Sequence, residues 1–214
     1  MSVPPMFKVP MNVLFSTGLP AAENITYQSS RESLLKDCLG KNEAALNEEG
    51  IFVEKIEDKD GATSDIVYVV KDSFTENIVE WNDFNKPIDS TIFLQLYQKI
   101  IDHFGKKQLW IRDAFVFNDS GQRVNIRSIN EEPAGNLVVL DMFSEPSKNE
   151  LENFNPDWYL VHAPGFFADS ATDGINEKDF FMINYETKTM LIGGKSLTAN
   201  IKQRILSILM EHSL

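Results

Sequence analysis

The sequence is short of cysteine and of positive charge. Cys38 is its single cysteine, which excludes an internal disulfide and a metal site built from several thiolates. Lysine and arginine number 20 against 32 aspartates and glutamates, for a net charge of −12. Such a surface repels nucleic-acid phosphates and anionic lipids. We therefore expect neither a nucleic-acid partner nor a membrane partner.

Long hydrophobic runs are also missing. No apolar stretch approaches the ~18 residues that a membrane-spanning helix needs. Residues 1–20 contain one lysine and are interrupted by Pro4, Pro5 and Pro10, so they lack the apolar centre of a signal peptide. Hydrophobic residues make up 43% of the chain and charged residues 24%, a composition typical of globular proteins. These features predict a soluble, cytoplasmic protein.

The pattern of apolar residues predicts a mixed α/β fold. A chain of 214 residues can bury a sizeable core, and we find neither an internal repeat nor a flexible linker. We expect one mixed β-sheet domain flanked by helices, spanning residues 1–214, with residues 1–27 irregular. Strands are predicted at residues 44–46, 51–56, 66–70, 109–117, 123–129, 157–161, 180–185 and 189–192.

Helix signals lie between these strands. Capping boxes are predicted at Ser29 with Glu32 and at Ser147 with Glu150. A longer helix is predicted from Asp89 or Ser90 to Phe104. Residues 131–143 have strand composition at positions 137–140, while proline and glycine weaken a helix there, so the pattern leaves both open. The last helix carries its apolar face on Ile201, Ile205, Ile208 and Leu209.

The stretch Gly193-Gly194-Lys195-Ser196, between a strand and a helix, suggests a phosphate-binding loop. That motif requires a glycine at position 189, which is a threonine inside the predicted strand. A tight turn is therefore the favoured interpretation, with Lys195 as a weak anion-binding candidate near a helix N-terminus.

Other polar motifs have structural alternatives. Asp169–Gly174 resembles the start of a calcium loop, but two of the required oxygen ligands are missing, which favours a structural turn. His162, at a strand end, is interpreted as a packing or loop-fixing residue. Arg123 and Arg127 share one face of a strand and could bind an anion, although pairing with carboxylates is favoured in so acidic a protein. The three histidines lack ligand-like spacing, and we predict no metal site.

The C-terminal block resembles a known family. It contains PDW, HAPGF, INY and LIGG within residues 156–194, in the order found in the N-terminal domain of ATP-dependent phosphoenolpyruvate carboxykinases. Earlier segments match in the same order, so the resemblance covers most of the chain. It implies the fold of that domain and favours a helix at residues 131–143. The earlier matches are Gly50–Phe52, Tyr68–Asp72, Asn85–Ile88, Asp113–Phe115 and Arg123–Arg127.

The resemblance also implies where chemistry would reside. In the family, this domain supplies an arginine in a TGRSPKDK loop, an aromatic-rich GGTWYGGE stretch and a lysine pair whose second member ligates manganese, while a second domain binds the nucleotide. Here the TGRSPKDK loop is absent. Leu197 stands at the tyrosine position, Lys202 matches the first lysine, and Gln203 occupies the metal-ligand position.

Framework residues are thus retained where functional ones differ. The resemblance predicts a non-catalytic relative serving as a binding or regulatory module, without cofactor, metal or catalytic residues, whose partner is a protein or a small dicarboxylate. The alternative is the N-terminal half of a phosphoenolpyruvate carboxykinase that needs a separate nucleotide-binding chain to convert oxaloacetate and ATP to phosphoenolpyruvate, CO2 and ADP. Candidates for a vestigial anion or substrate pocket are Lys195, Lys202, Arg123, Arg127 and His162.

Overall fold

A computed structural model describes residues 25–41, 44–46, 52–54, 65–105 and 107–211. The strands are β1 (Ile25–Tyr27), β2 (Ala44–Leu46), β3 (Phe52–Glu54), β4 (Val67–Val70), β5 (Asn85–Ile88), β6 (Leu109–Phe117), β7 (Arg123–Asn130), β8 (Trp158–Ala163), β9 (Phe180–Asn184) and β10 (Thr189–Gly193). The helices are α1 (Arg31–Gly40), α2 (Thr75–Ile78), α3 (Ser90–Phe104), α4 (Pro133–Met142), α5 (Lys148–Leu151) and α6 (Ala199–Glu211).

Eight strands form one mixed sheet in the order β1-β6-β7-β8-β10-β9-β4-β5. Strands β7, β8 and β10 run parallel to one another, whereas β6 and β9 are antiparallel to their neighbours β7 and β10. The two short strands β2 and β3 form a separate antiparallel pair. The predicted fold class, one mixed sheet flanked by helices, is confirmed.

Both faces of the sheet bury an apolar cluster. Alternate strand residues point to opposite faces, so Val161 and Leu191 pack beneath α3, while Leu160 and Ile192 pack beneath α6. Helix α3 contributes Phe93, Leu96, Ile100 and Phe104 to the first cluster. Helix α6 contributes the predicted face, Ile201, Ile205, Ile208 and Leu209, to the second.

Local signals placed several helix ends correctly. The side chain of Asp89 accepts a bond from the amide of Thr91 and caps α3, and Ser147 with Glu150 forms the predicted capping box of α5. The predicted box at Ser29 is wrong by one residue, because the hydroxyl of Ser30 caps α1 by accepting from the amide of Ser33. The connection between the strands predicted at residues 44–46 and 51–56 lies outside the described residues.

The structure resolves the ambiguity at residues 131–143 in favour of a helix. Pro133 occupies the first turn of α4, where its missing N–H costs nothing. Gly135 and Asn136 are both buried, and α4 packs its small residues closely against the sheet. The strand alternative for this segment is therefore wrong: the apolar residues Leu137 and Val139 belong to a helix and are buried on it.

The outer edge of β6 is covered by two segments, residues 25–28 and Ser144. Strand β1 pairs with only its first three residues. The side-chain amide of Gln28 then continues the pairing, donating to the carbonyl oxygen of Asp113 at 3.1 Å and accepting from its amide at 2.7 Å. Further along, Phe115 and Ser144 exchange backbone hydrogen bonds. The covered edge has few unpaired backbone groups to offer another strand.

Candidate functional site

One edge of the sheet gathers the motifs that the sequence singles out. Strands β7, β8 and β10 end there, and the oppositely directed β9 and β4 begin there. The upper edge is our name for the loops that follow β7, β8 and β10 and those that precede β9 and β4. It includes Glu131, the loop 164–167, Asp179, and the loop 194–198 that leads into α6.

The chain turns sharply where β10 ends. Gly194 has a φ of +69°, a conformation that side chains with a Cβ adopt only with strain. The ring of Phe167 and the Cβ of Asp179 would lie 2.9 and 3.0 Å from a Cβ at this position. Thr189, where a phosphate-binding loop needs glycine, pairs within β10. The tight-turn interpretation of this motif is confirmed.

Lys195 is buried just after the turn. Lys195 as a whole is 3% exposed, and its Nζ lies 3.1 Å from Oδ2 of Asp179. The contact is an ion pair without hydrogen-bond geometry. Lys195 also lines a small pocket between the start of β4 and the first turns of α6. The lining residues are Asp65, Ile66, Val67, Phe181, Lys195, Thr198, Asn200, Ile201 and Arg204.

His162 fixes the backbone of this loop. Its Nε2 lies 2.9 Å from the carbonyl oxygen of Lys195. Because a carbonyl only accepts, Nε2 carries the proton and Nδ1 is the bare nitrogen of a neutral ring. Burial lowers the pKa of His162 to about 4, outweighing the opposing effects of the Lys195 carbonyl and Glu131. This is the loop-fixing role expected from the sequence.

A second polar cluster surrounds Glu131, which is 6% exposed. Its carboxylate contacts Nε2 of His103 at 3.0 Å, the ammonium of Lys107, and the amide of Gly165 at 3.0 Å. Burial alone would raise the pKa of Glu131, but Lys107, Gly165 and His103 outweigh it and lower that pKa. Sequence reasoning missed this cluster, whose only signal was a carboxylate immediately after a strand.

The two predicted arginines of β7 are paired with carboxylates. Nε and Nη2 of Arg127 each lie 2.7 Å from an oxygen of Asp113, which also accepts from the hydroxyl of Tyr27 at 2.6 Å. Arg123 pairs with Glu150 and stacks 3.8 Å above the ring of Phe115. The prediction of acidic partners is confirmed for both arginines.

The five candidates for a vestigial pocket do not assemble in one place. Asn130 and His162 are register partners, whereas Arg127 pairs with Tyr159. Three residues along a strand place Arg127 about 10 Å from the upper edge, and Arg123 lies about 23 Å away. Of the five, Lys195 and His162 contact each other. Lys202 lies half-buried on α6, beside the exposed Gln203.

Within the described residues, no group of three or more histidine, cysteine, aspartate or glutamate side chains could hold a metal ion. Gln203, which the resemblance matches to a metal-ligating lysine, is neutral and exposed. In the calcium-like loop, Asp169 accepts from the amide of Ala171, and Asp173 accepts from the amide of Asp169 and from Lys99. These internal bonds make it a structural turn.

Comparison with known proteins gives the family. The model described as phosphoenolpyruvate carboxykinase matches residues 23–213. The chain belongs to this family. None of the helices in the described ranges is both long and apolar enough to cross a bilayer.

Several relatives carry the name phosphoenolpyruvate carboxykinase (ATP). The chain is 35% identical over 185 residues to that of Christiangramia forsetii, covering 86% of this chain and 35% of the relative. It is 31% identical over 204 residues to that of Flavobacterium johnsoniae, covering 92% and 38%. It is 31% identical over 189 residues to that of Staphylococcus haemolyticus, covering 87% of this chain and 36% of the relative. The chain therefore spans little more than a third of these relatives.

Proposed function

We propose that this chain is a non-catalytic member of the phosphoenolpyruvate carboxykinase family that acts as a binding or regulatory module. The observation that carries the proposal is the environment of Leu197. At the position matched to the family's tyrosine, this side chain is 6% exposed and packs in the apolar cluster beneath α6. It offers no hydroxyl group, and it points into the core rather than toward a ligand.

The charges of the upper edge support the same proposal. The ammonium of Lys195 is paired with Asp179, and the carboxylate of Glu131 is paired with Lys107 and His103. Gln203 supplies neither a cation nor a metal ligand. Lys202 is retained at its matched position and is half-buried. A single lysine binds a carboxylate weakly, because it provides a point charge without the bidentate geometry of arginine.

Turnover measurements test the non-catalytic proposal. The purified chain, supplied with oxaloacetate, ATP and Mn²⁺, should form no phosphoenolpyruvate above the protein-free blank. A turnover that rises with protein concentration and is lost in Lys202→Ala would refute the proposal. Ser207→Ala, at another exposed position of α6, is the matched control: purified in the same way, it should carry any contaminating enzyme and keep the measured turnover.

Ligand binding is tested separately by thermal unfolding with oxaloacetate, phosphoenolpyruvate or ATP–Mn²⁺. A ligand at ~100 times its dissociation constant stabilises a fold by ~2.7 kcal/mol, which shifts the midpoint by several degrees. A shift with oxaloacetate that Lys202→Ala abolishes and Ser207→Ala keeps would identify a dicarboxylate-binding module. The absence of any shift would favour a protein partner.

The second candidate function is one half of a phosphoenolpyruvate carboxykinase. It is favoured by the membership of the chain in the family and by the retained Lys202. A separate chain would then have to supply the nucleotide-binding loop. Affinity capture with the purified chain should recover a polypeptide carrying such a loop, and the mixture should turn over oxaloacetate. Capture of no such polypeptide would count against this candidate.

A further inference from the structure

Lys195 carries its charge into the interior of the upper edge. Its side chain is 2% exposed, whereas that of its partner Asp179 is 27% exposed. Lysine is almost never buried to this extent unless it is paired, because removing an ammonium from water is costly without a counter-charge. The pair with Asp179 therefore holds the side chain in a position that solvation alone would oppose.

The backbone on both sides directs Lys195 inward. His162 binds the carbonyl oxygen of Lys195. The left-handed turn at Gly194 places Asp179 against Gly194, the residue that precedes Lys195. Asp179 immediately precedes β9, so it is fixed by the sheet. The position of the Lys195 side chain is thus set by contacts with the end of β8 and the start of β9, next to the start of α6.

Lys195 is also one of the residues that line the pocket beside α6. Removing a buried side chain leaves a void unless the surroundings collapse, and here the void would be continuous with that pocket. We propose that the Lys195 side chain is a built-in occupant of the pocket. Its stem and ammonium fill a space next to Asp179 that, without them, would accept a small primary alkylammonium ion.

In the wild-type protein the covalently attached ammonium of Lys195 occupies this space, so no free ligand is needed to fill it. A covalently attached ammonium does not lose translational and rotational freedom on binding, so a free amine at moderate concentration cannot displace it. The inference goes beyond the proposed function, and it does not depend on whether the chain is catalytic. Turnover with oxaloacetate tests the one, and amine binding by a Lys195 variant tests the other.

Chemical rescue of Lys195→Ala is the direct experiment. Alanine retains Cβ, so n-propylammonium supplies the three missing carbons and the charge. We expect Lys195→Ala to unfold at a lower temperature than wild type, and propylammonium chloride to raise its midpoint by several degrees relative to sodium chloride at equal ionic strength. The wild-type midpoint should not respond. The neutral 1-propanol, which has the same carbon chain, should restore less.

Two further variants make the rescue specific. Lys195→Met fills the space with an uncharged, unbranched side chain, so it should not respond to propylammonium. Adding Asp179→Asn to Lys195→Ala should abolish the preference for propylammonium over propanol. The proposal is overturned if Lys195→Ala melts with wild type, or if propylammonium shifts both proteins equally.

A measurement on the wild-type protein avoids dependence on the folding of Lys195→Ala. The ammonium protons of a buried lysine exchange slowly with water and become visible by proton–nitrogen NMR. We expect one slowly exchanging lysine ammonium that disappears in Lys195→Met and remains in Lys202→Ala. Fast exchange of the Lys195 ammonium would show that it is solvated and would overturn the proposal.

Discussion

His162 and the carbonyl of Lys195 are joined by a 2.9 Å hydrogen bond across 33 residues of sequence. The bond connects the end of β8 to the loop that follows β10, so it fixes the start of α6 relative to the sheet. On the other side of the ring, Nδ1 faces Gly135 of α4. One imidazole therefore links a helix on the sheet with the loop where the family's functional positions would lie.

Loss of this bond should destabilise the fold. His162→Leu leaves the buried carbonyl of Lys195 without its donor, which costs ~1–3 kcal/mol. His162→Gln keeps a donor near the position of Nε2, so it should lose less stability than His162→Leu. The free energy of unfolding in urea measures the difference. Equal stability of the two variants would show that the hydrogen bond contributes little.

His162 also predicts a pH dependence. Its pKa falls from 6.5 to about 4 on folding, so the unfolded chain binds a proton at a pH where the folded chain does not. Acidification from pH 7.5 therefore destabilises the fold progressively through this residue, beginning near pH 6.5 and levelling off below pH 4. A shift of this size corresponds to ~3 kcal/mol.

The contribution of His162 is isolated by comparing wild type with His162→Gln across that range. Other groups titrate in both proteins, so only the difference between the two unfolding free energies reports on the imidazole. The stability of wild type should fall relative to the variant between pH 6.5 and pH 4. Parallel curves would mean that His162 titrates with an ordinary pKa in the folded state.

Gly135 should not tolerate a side chain. A Cβ at this position would lie 2.5 Å from Nδ1 of His162 and 2.9 Å from Oδ1 of Asn130. We expect Gly135→Ala to destabilise the protein by ~1–3 kcal/mol through overpacking, despite the higher helix propensity of alanine. Gly40→Ala is the control, because nothing lies within 4 Å of its added Cβ. A neutral or stabilising Gly135→Ala would contradict the close packing.

The two arginine pairs of β7 should differ in energetic weight. Asp113→Ala removes the carboxylate that contacts the buried guanidinium of Arg127 at two points, and breaking such a pair costs ~3–5 kcal/mol. The pair of Arg123 with Glu150 lies at the surface, where salt bridges contribute ~0–1 kcal/mol. Glu150→Gln should therefore have a small effect. Denaturation in urea measures both, and similar losses would contradict the assignment of the buried pair.

The hydroxyl of Tyr27 adds to the buried pair. It donates to Asp113 at 2.6 Å, and burial together with the negative charge of Asp113 raises the pKa of this phenol. We expect Tyr27→Phe to lose ~1.5–3 kcal/mol, the range for a hydrogen bond to a charged group. Thr26→Ser, on the adjacent residue of the same strand, keeps the hydroxyl that accepts from Gln108 and is a control for changes in β1. An unchanged stability of Tyr27→Phe would show that Asp113 is satisfied without it.

Local sequence signals accounted for much of the fold. Apolar spacing located α3 and the buried face of α6, because burial on one side of a helix leaves a periodic record. Asp89 and Ser147 identified helix starts, because an N-cap bonds to amides only two or three residues away. The same logic failed at Ser29 by one residue, since two adjacent serines can each serve as a cap. At residues 131–143 composition favoured no single state, and packing of Gly135 against His162 selected the helix.

The candidate site was less predictable from sequence. Retained framework motifs identified the family. The resemblance also predicted, without coordinates, that Leu197 and Gln203 stand where the family has a tyrosine and a metal ligand. The grouping of Arg123 and Arg127 with Lys195 was not supported by their positions, because distances along a strand place the arginines away from the upper edge. The contacts of Glu131 with His103 and Lys107 also left no pattern to read.

The sequence by itself determined the mixed α/β class, the family, and most helix and strand positions, since each depends on residue types or near neighbours in the chain. Only the tertiary structure decided that Lys195 is buried against Asp179, that His162 is neutral, and that Asp113 holds Arg127 and Tyr27 together. Those facts depend on which strands lie side by side and on the solvent that their packing excludes, and neither is encoded in local spacing.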